Sequence, residues 1–383
     1  MRIGFDVSQT AEEMAGCGYV ADQLIRNLLK IDKENEYILY PTFYSYRHPS
    51  FFKSTKPEAK NCYTHFKGMS FHEMVNMWKI KMEDRTGWLG SPDIVHSNNF
   101  SCIKDHKAKI VFTIYDVAPM VYPEFTTEEN RVICFDGLFN ASLYADHCIA
   151  ISEYTKKSFL HHFPHYPENR MTVVHLGTRE SLNSNMDANL KIKVLKKFDI
   201  AGEFWLGVGT IEPRKNYRLL IEAYSELKDQ KRPLVIAGGK GWLESDLDQR
   251  IKQSGIKDRV KFLGYVTDEE LSVLYRSCFA FIYPSFYEGF GLPVLEAMSC
   301  GAAVITSNTS SLPEVGGNAV LYIDPQSKEN LIEKMELLMD HPLLIQELRI
   351  KSKERSKMFS WDKAAERVLK IYQNTIQTKS WFV

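Results

Sequence analysis

The sequence predicts an α/β protein built from two Rossmann-like, doubly wound domains. Two observations carry this. The second half alternates short apolar or β-branched runs with longer segments of helical period, at 203–209, 233–239, 260–266, 279–285, 302–308 and 319–325. The first half repeats the rhythm with longer insertions, its strands falling at 2–7, 36–41, 93–97, 109–114, 147–151 and 171–177. A chain of 383 residues is also long for one core, so the length favours two domains.

Taken in order, residues 1–180 form the expected N-terminal domain and residues 181–360 the C-terminal domain. The polar stretch "TRESLNSNMDANLK" (178–191) is read as the linker region. In the second domain Leu219, Leu220, Ala223, Tyr224 and Leu227 fall on one helical face, and Thr267 with Glu270 forms a capping box ahead of a helix. The segment from Trp361 has helical period and no further strand, so a helix over about 361–383 is expected to pack back on the first domain.

Charge and cysteine content narrow the function. Lys plus Arg and Asp plus Glu both number 48, so no global field attracts nucleic acid, and no nucleic-acid partner is expected. The seven cysteines are scattered and never spaced C-x-x-C, which fits reduced thiols rather than disulfides or zinc. The start "MRIGFDVSQT" lacks a signal peptide's apolar core, and no run is long enough for a membrane span. The expectation is a cytoplasmic protein, soluble or peripheral at the inner face of the cytoplasmic membrane. Trp78, Lys79, Lys81 and Trp88 offer a peripheral contact, although core packing explains the apolar positions as well.

Open α/β sheets bind ligands beyond the carboxyl ends of their strands, so the loops there are the first candidates for a site. "PSFYEGFGLPVLEAMSCG" (284–301) reads as strand end, loop and helix, with Pro293 in the first turn and Gly301 past the last. It places Glu288 in the loop and Glu296 one turn inside the helix, while Gly289 and Gly291 let backbone amides approach an oxygen-rich ligand. A carboxylate accepts vicinal hydroxyls and a helix N-terminus favours phosphate, so this combination suits a nucleotide sugar. A solvated Glu288 and a dipole-partner Glu296 are the plain alternative. In "TIEPRKN", Arg214 and Lys215 follow a strand and precede a helix, where they can neutralise a diphosphate or simply sit in a surface turn.

"GCGYVA" satisfies G-x-G-x-x-A at Gly16, Gly18 and Ala21, but eight residues separate it from the first strand and the second strand ends without an acid. A dehydrogenase is therefore disfavoured. Gly16 and Gly18 are read as a flexible loop and helix start whose amides point into the cleft, at a ligand phosphate. The histidines at 161, 162 and 165 lack metal-ligand periodicity, and neither G-x-S-x-G nor a Walker A sequence is present.

These residues resemble the retaining GT-B glycosyltransferases called family 4, the group 1 family that includes bacterial mannosyltransferases. The resemblance spans essentially the whole chain. Its most specific part is the E-x7-E signature, Glu288 to Glu296, supported by "GVGTIEPRKN", "VIAGG", "VKFLGYVTDEELSVLY", "DIVHSNNF" and "GCGYVADQLIRNL". It implies that Glu296 binds the donor ribose, that Glu288 and the backbone of Gly289, Phe290, Gly291 and Leu292 hold the transferred sugar, and that Lys215 binds the diphosphate. Tyr265 and Val266 fall where the nucleobase is usually held. Thr210 stands where many members have arginine, and Arg214 supplies that charge instead. Tyr115 replaces a histidine common in "TIHD" segments, leaving Asp116 as the acceptor-side carboxylate.

The resemblance further implies a co-substrate rather than a cofactor, with GDP-mannose favoured, no metal, and a glycan or lipid-linked glycan acceptor in polysaccharide or lipopolysaccharide biosynthesis. A GT-B nucleotide-sugar 2-epimerase is the second hypothesis, and would turn over donor without acceptor. A non-catalytic sugar-nucleotide binding protein is the third, kept open by Tyr115.

Overall fold

A computed structural model describes residues 1–11, 14, 16–43, 50–66, 69–80, 84–104, 107–183, 187–228, 231–241 and 247–380. The chain divides into two compact units, Met1–Gly177 with Ser360–Val383, and Thr178–Phe359.

The first unit holds seven strands: β1 (Arg2–Asp6), β2 (Glu36–Tyr40), β3 (Cys62–Thr64), β4 (Ile94–Ser97), β5 (Lys109–Ile114), β6 (His147–Ala150) and β7 (Met171–Val173). They pair in parallel in the order β3-β2-β1-β4-β5-β6-β7. The inner strands are buried almost throughout, as parallel strands covered on both faces must be, and they read as near-continuous apolar runs. β3 was not anticipated. It has three residues, one neighbour and partial exposure, so it needs no apolar run that a sequence pattern would register.

Also in this unit, the helix Trp361–Gln377 packs against the helix Gly16–Ile31. Its buried residues, Trp361, Ala364, Ala365, Val368, Ile371, Tyr372 and Thr375, recur at helical spacing and form one face, and Ser360 caps its start. The Tyr372 hydroxyl shares a hydrogen bond of 2.5 Å with Nδ1 of His96 on β4, whose Nε2 lies 2.8 Å from the Thr113 hydroxyl on β5. Trp78 is core, with Met74 and Phe43, and Arg85 stacks on both Trp78 and Trp88; Lys81 lies outside the described residues.

The second unit holds β8 (Trp205–Val208), β9 (Leu234–Ala237), β10 (Val260–Gly264), β11 (Ala280–Tyr283), β12 (Val304–Ser307) and β13 (Leu321–Ile323), all parallel, in the order β10-β9-β8-β11-β12-β13. Leu219, Leu220, Ala223, Tyr224 and Leu227 enter one core with Trp205, Ile236, Ile282 and Ile305. The Thr267–Glu270 capping box is present in both directions, at 3.0 and 3.3 Å. The stretch 178–191 is more structured than a linker. Glu180–Asn183 forms a 3-10 turn with Leu182 fully buried, and a helix Ala188–Lys197 starts at an Asp187 cap. Among the described residues of this polar stretch, Leu182 is a buried anchor.

In each sheet the strand order reverses once, between β1 and β4 and between β8 and β11. Loops leaving adjacent strands on opposite courses part there and open a crevice, the place where open α/β sheets receive ligands. All seven cysteines are free thiols. Among the described residues, no helix is long and apolar enough to cross a membrane.

Candidate active site

The loops after β8 and β11 meet at the reversal of the second sheet. The first runs through Glu212 and a 3-10 turn Pro213–Lys215 to Asn216, whose left-handed backbone (φ 57°) turns the chain into the helix Tyr217–Glu226. Asparagine tolerates that conformation, and its side-chain amide donates to the Pro284 and Pro325 carbonyls at 3.1 and 2.8 Å, tying together the loops after β11 and β13. The second loop is clamped by the segment after β12. The Glu288 amide donates to Ser310 Oγ at 2.9 Å, Ser311 Oγ donates to the Glu288 carbonyl at 2.8 Å, and Thr309 Oγ1 donates to the Phe286 carbonyl at 3.0 Å.

This scaffold brings Arg214, Lys215 and Glu288 into one cluster. Lys215 Nζ donates to Glu288 Oε1 at 2.7 Å and to the Tyr283 hydroxyl at 2.5 Å, while Arg214 Nη1 lies 2.8 Å from Glu288 Oε2. Arg214 also reaches the Tyr287 carbonyl at 2.9 Å and Glu212 Oε1 at 2.5 Å. Burial pushes the Glu288 pKa up, but Arg214 and then Lys215 outweigh it and hold the carboxyl at about 2. Glu288 is therefore an anion across the whole neutral range. It can orient hydroxyls and stabilise positive charge, but it has no proton to give. Lys215 is lowered by burial and by Arg214, against the opposing pull of Glu288 and Glu212.

Glu288 leads into the helix Leu292–Ser299. Gly291 caps it in a left-handed conformation (φ 101°), where an added Cβ would also meet Leu312 Cδ2 at 2.8 Å. The Phe290 side chain is buried against Phe359, so any ligand contact there falls to its backbone. Glu296, in the middle of the helix, is buried to 1 % exposure. Its Oε1 accepts from Arg179 Nε at 2.7 Å and its Oε2 from the Tyr275 hydroxyl at 3.4 Å. Tyr265, just past β10, is 75 % exposed, an open aromatic face, and Val266 beside it is half-buried.

The first unit holds the remaining expected residues. Asp116, after β5, accepts from the Ala118 amide at 2.9 Å. Tyr115 is buried, its hydroxyl donating to the carbonyls of Asn98 and Cys17 at 3.0 and 3.3 Å, so it ties the β4 and β5 loops to the start of a helix. Gly16 opens that helix, but Gly18 is not a flexible loop position. It lies within the first turn, and a Cβ on it would stand 2.0 Å from the Gln9 carbonyl oxygen. The contact explains the glycine by close approach of two backbones.

Sequence reasoning missed Glu212, Tyr275, Tyr283 and Arg179. Glu212 sits inside the quoted loop and could have been counted with Arg214. Tyr275 and Tyr283 are buried among apolar neighbours and no motif marks them, and Arg179 carried no signal beyond its charge.

Comparison with known proteins decides the family. The model described as "Glycosyl transferases group 1" matches residues 196–358, which include Arg214, Lys215, Glu288 and Glu296. The O-antigen chain mannosyltransferase B of Escherichia coli is 31 % identical over 284 residues, covering 73 % of this chain and 74 % of that protein. The chain belongs to the group 1 glycosyl transferases. The glycosyltransferase also aligns with the crystal structure of Anabaena HepE in complex with UDP and glucose, at TM-score 0.73 and 16 % identity over 98 % of this chain and 100 % of that one. WaaG, a glycosyltransferase involved in lipopolysaccharide biosynthesis, aligns at TM-score 0.70 and 14 % identity over 97 % and 99 %. At such identities these two likenesses speak to the fold. They give the expected class, GT-B, with its pair of Rossmann-like units.

Proposed function

We propose that this glycosyltransferase is a retaining mannosyltransferase that uses a nucleoside diphosphate sugar, GDP-mannose first among candidates, to extend a glycan or lipid-linked glycan in polysaccharide assembly. The observation that carries the reading is the cluster of Arg214, Lys215 and Glu288 at the reversal of the second sheet, eight residues before Glu296. The mannosyl preference rests on the name of the Escherichia coli relative.

In this reading the acceptor hydroxyl attacks the anomeric carbon on the face that the diphosphate leaves. The new C–O bond forms as the bond to the phosphate oxygen breaks, and the acceptor proton passes to the departing oxygen. Arg214, Lys215 and the amides at the start of the helix Leu292–Ser299 face the charge that develops on the diphosphate. Glu288, a permanent anion, orients sugar hydroxyls and stabilises the oxocarbenium-like centre. Glu296 accepts the ribose hydroxyls, Tyr265 with Val266 borders the base, and Asp116 orients the acceptor. This step requires no metal.

The test is a panel of GDP-mannose, UDP-glucose, UDP-GlcNAc, dTDP-rhamnose and NADH, read as thermal shift and slow release of nucleoside diphosphate, with and without EDTA. The expected outcome is stabilisation by one nucleotide sugar, unaffected by EDTA and lost in Glu296→Ala and Lys215→Ala. Stabilisation by NADH alone or by nothing in the panel would sink the donor reading, and abolition by EDTA would overturn the metal-free step.

A further inference from the structure

Arg179 stands two residues past Gly177, where the chain passes from the first unit to the second. Its guanidinium divides between two carboxylates, with Nε 2.7 Å from Glu296 Oε1 and Nη1 2.5 Å from Asp268 Oδ1. Asp268, the first residue of the helix Asp268–Ser277, is held in turn by Ser181 Oγ at 2.8 Å. The same helix supplies the Tyr275 hydroxyl to the other oxygen of Glu296. Glu296 is thus gripped from a helix on one side and from the segment after Gly177 on the other.

We propose that Arg179 is a positioning residue for donor recognition: by bonding Oε1 of Glu296 it fixes the orientation and the charge of the carboxylate that accepts the donor's ribose hydroxyls. This rests on the reading of Glu296 given above. The chemistry suits arginine in particular, because a planar fork addresses two carboxylates in different directions at once while a lysine ammonium is a single point charge.

The electrostatics point the same way. Burial raises the Glu296 pKa, Arg179 opposes that rise, and Asp268 adds to it. The groups facing the carboxyl are Arg179 from the segment after Gly177, Asp268 and Tyr275 from one helix, and Cys300 at the end of its own helix. Arg179 is the cation among them. Without it a buried carboxylate would face a second carboxylate, and the proton would bind more readily. A neutral carboxyl is a weaker acceptor for a diol, so donor affinity should fall and should return as the pH is raised and the proton is lost.

The experiment compares wild type, Arg179→Met, Arg179→Lys and Asp268→Asn by calorimetric binding of GDP, UDP and their 2′,3′-dideoxy analogues between about pH 6 and about pH 9. Wild type is expected to prefer the ribonucleotide with little pH dependence. Arg179→Met should bind it about tenfold or more weakly at neutral pH, the loss expected for one charge-assisted contact. It should also lose the preference over the dideoxy analogue and recover both as the pH rises. Arg179→Lys should restore the flat pH profile with part of the affinity. Asp268→Asn, which keeps the bond to Glu296, should retain the preference even if Arg179→Met folds poorly. Unchanged affinity and preference in a folded Arg179→Met protein would overturn the proposal. A wild type that binds these nucleotides but ignores the ribose hydroxyls would instead remove the role of Glu296 itself, and the proposal with it.

Discussion

Lys215 is held between an aromatic ring and a carboxylate, its Nζ 4.9 Å from the Tyr283 ring centre and 2.7 Å from Glu288. Replacing it with methionine keeps the stem and removes the charge, leaving buried Glu288 with Arg214 alone. Breaking a buried pair from one side typically destabilises by 3–5 kcal/mol, and the remaining Arg214 places Lys215→Met near the low end, about 3 kcal/mol. Urea unfolding at neutral pH measures it; a loss below about 1 kcal/mol would mean that water already shares the site. The pair itself should be insensitive to pH in the neutral range. The Glu288 pKa falls from 4.5 to about 2 on folding, so its contribution is complete above about pH 4.5 and is lost only as the pH drops towards 2.

Two glycines of one helix make opposite forecasts at the scale of the element. An alanine in a helix normally gains up to about 1 kcal/mol over glycine. Gly16→Ala meets nothing within 4 Å and should be neutral or slightly stabilising. Gly18→Ala drives a methyl group into the Gln9 carbonyl, and because the obstacle is backbone the strain should win, with a net loss of about 2 kcal/mol. Melting temperatures of the two variants check this; equal values would mean that the helix start shifts to absorb the methyl. Elements with a local physical signature were readable in advance. β9, β11 and β12 are fully buried runs, the capping box is a four-residue pattern, and Glu288 and Glu296 sit in a strand–loop–helix unit whose chemistry is local. What escaped depends on partners distant in sequence. Arg179 meets Glu296 117 positions away, and the close approach that demands glycine at position 18 is hidden because nothing beside it in the sequence reveals the Gln9 carbonyl. β3 is a strand only because β2 offers it an edge.

For the whole molecule, the first unit depends on its last helix. A chain ending at Phe359 loses the apolar face that covers Gly16–Ile31 and the Tyr372 hydroxyl on His96, and its first unit should become susceptible to limited proteolysis while intact chain resists. Equal resistance would show that the helix is dispensable. Acid should act on the same unit. Burial lowers the His96 pKa to about 3, so the ring is neutral when folded and takes a proton on unfolding below about pH 6.5. Stability contributed by the neutral ring is complete above that value and declines as the pH falls towards 3, whereas Asp6, raised to about 6 by burial, works in the opposite sense between about pH 4 and 6. His96→Gln should flatten the acid slope relative to wild type in urea midpoints measured from pH 7 to about 4, and parallel slopes would count against a neutral buried ring.

The return of the chain at Ser360 also sets an order of birth. All seven strands of the first sheet are synthesised within the first 173 residues, yet the helix that packs on Gly16–Ile31 and β5 is made only after every strand of the second sheet. The second unit, continuous from Thr178 to Phe359, can close on the ribosome as soon as it emerges. The first must wait with an uncovered apolar face, so the unit begun first is the one finished last. Nascent chains arrested before residue 361 should therefore engage chaperones more strongly than chains extended past residue 377.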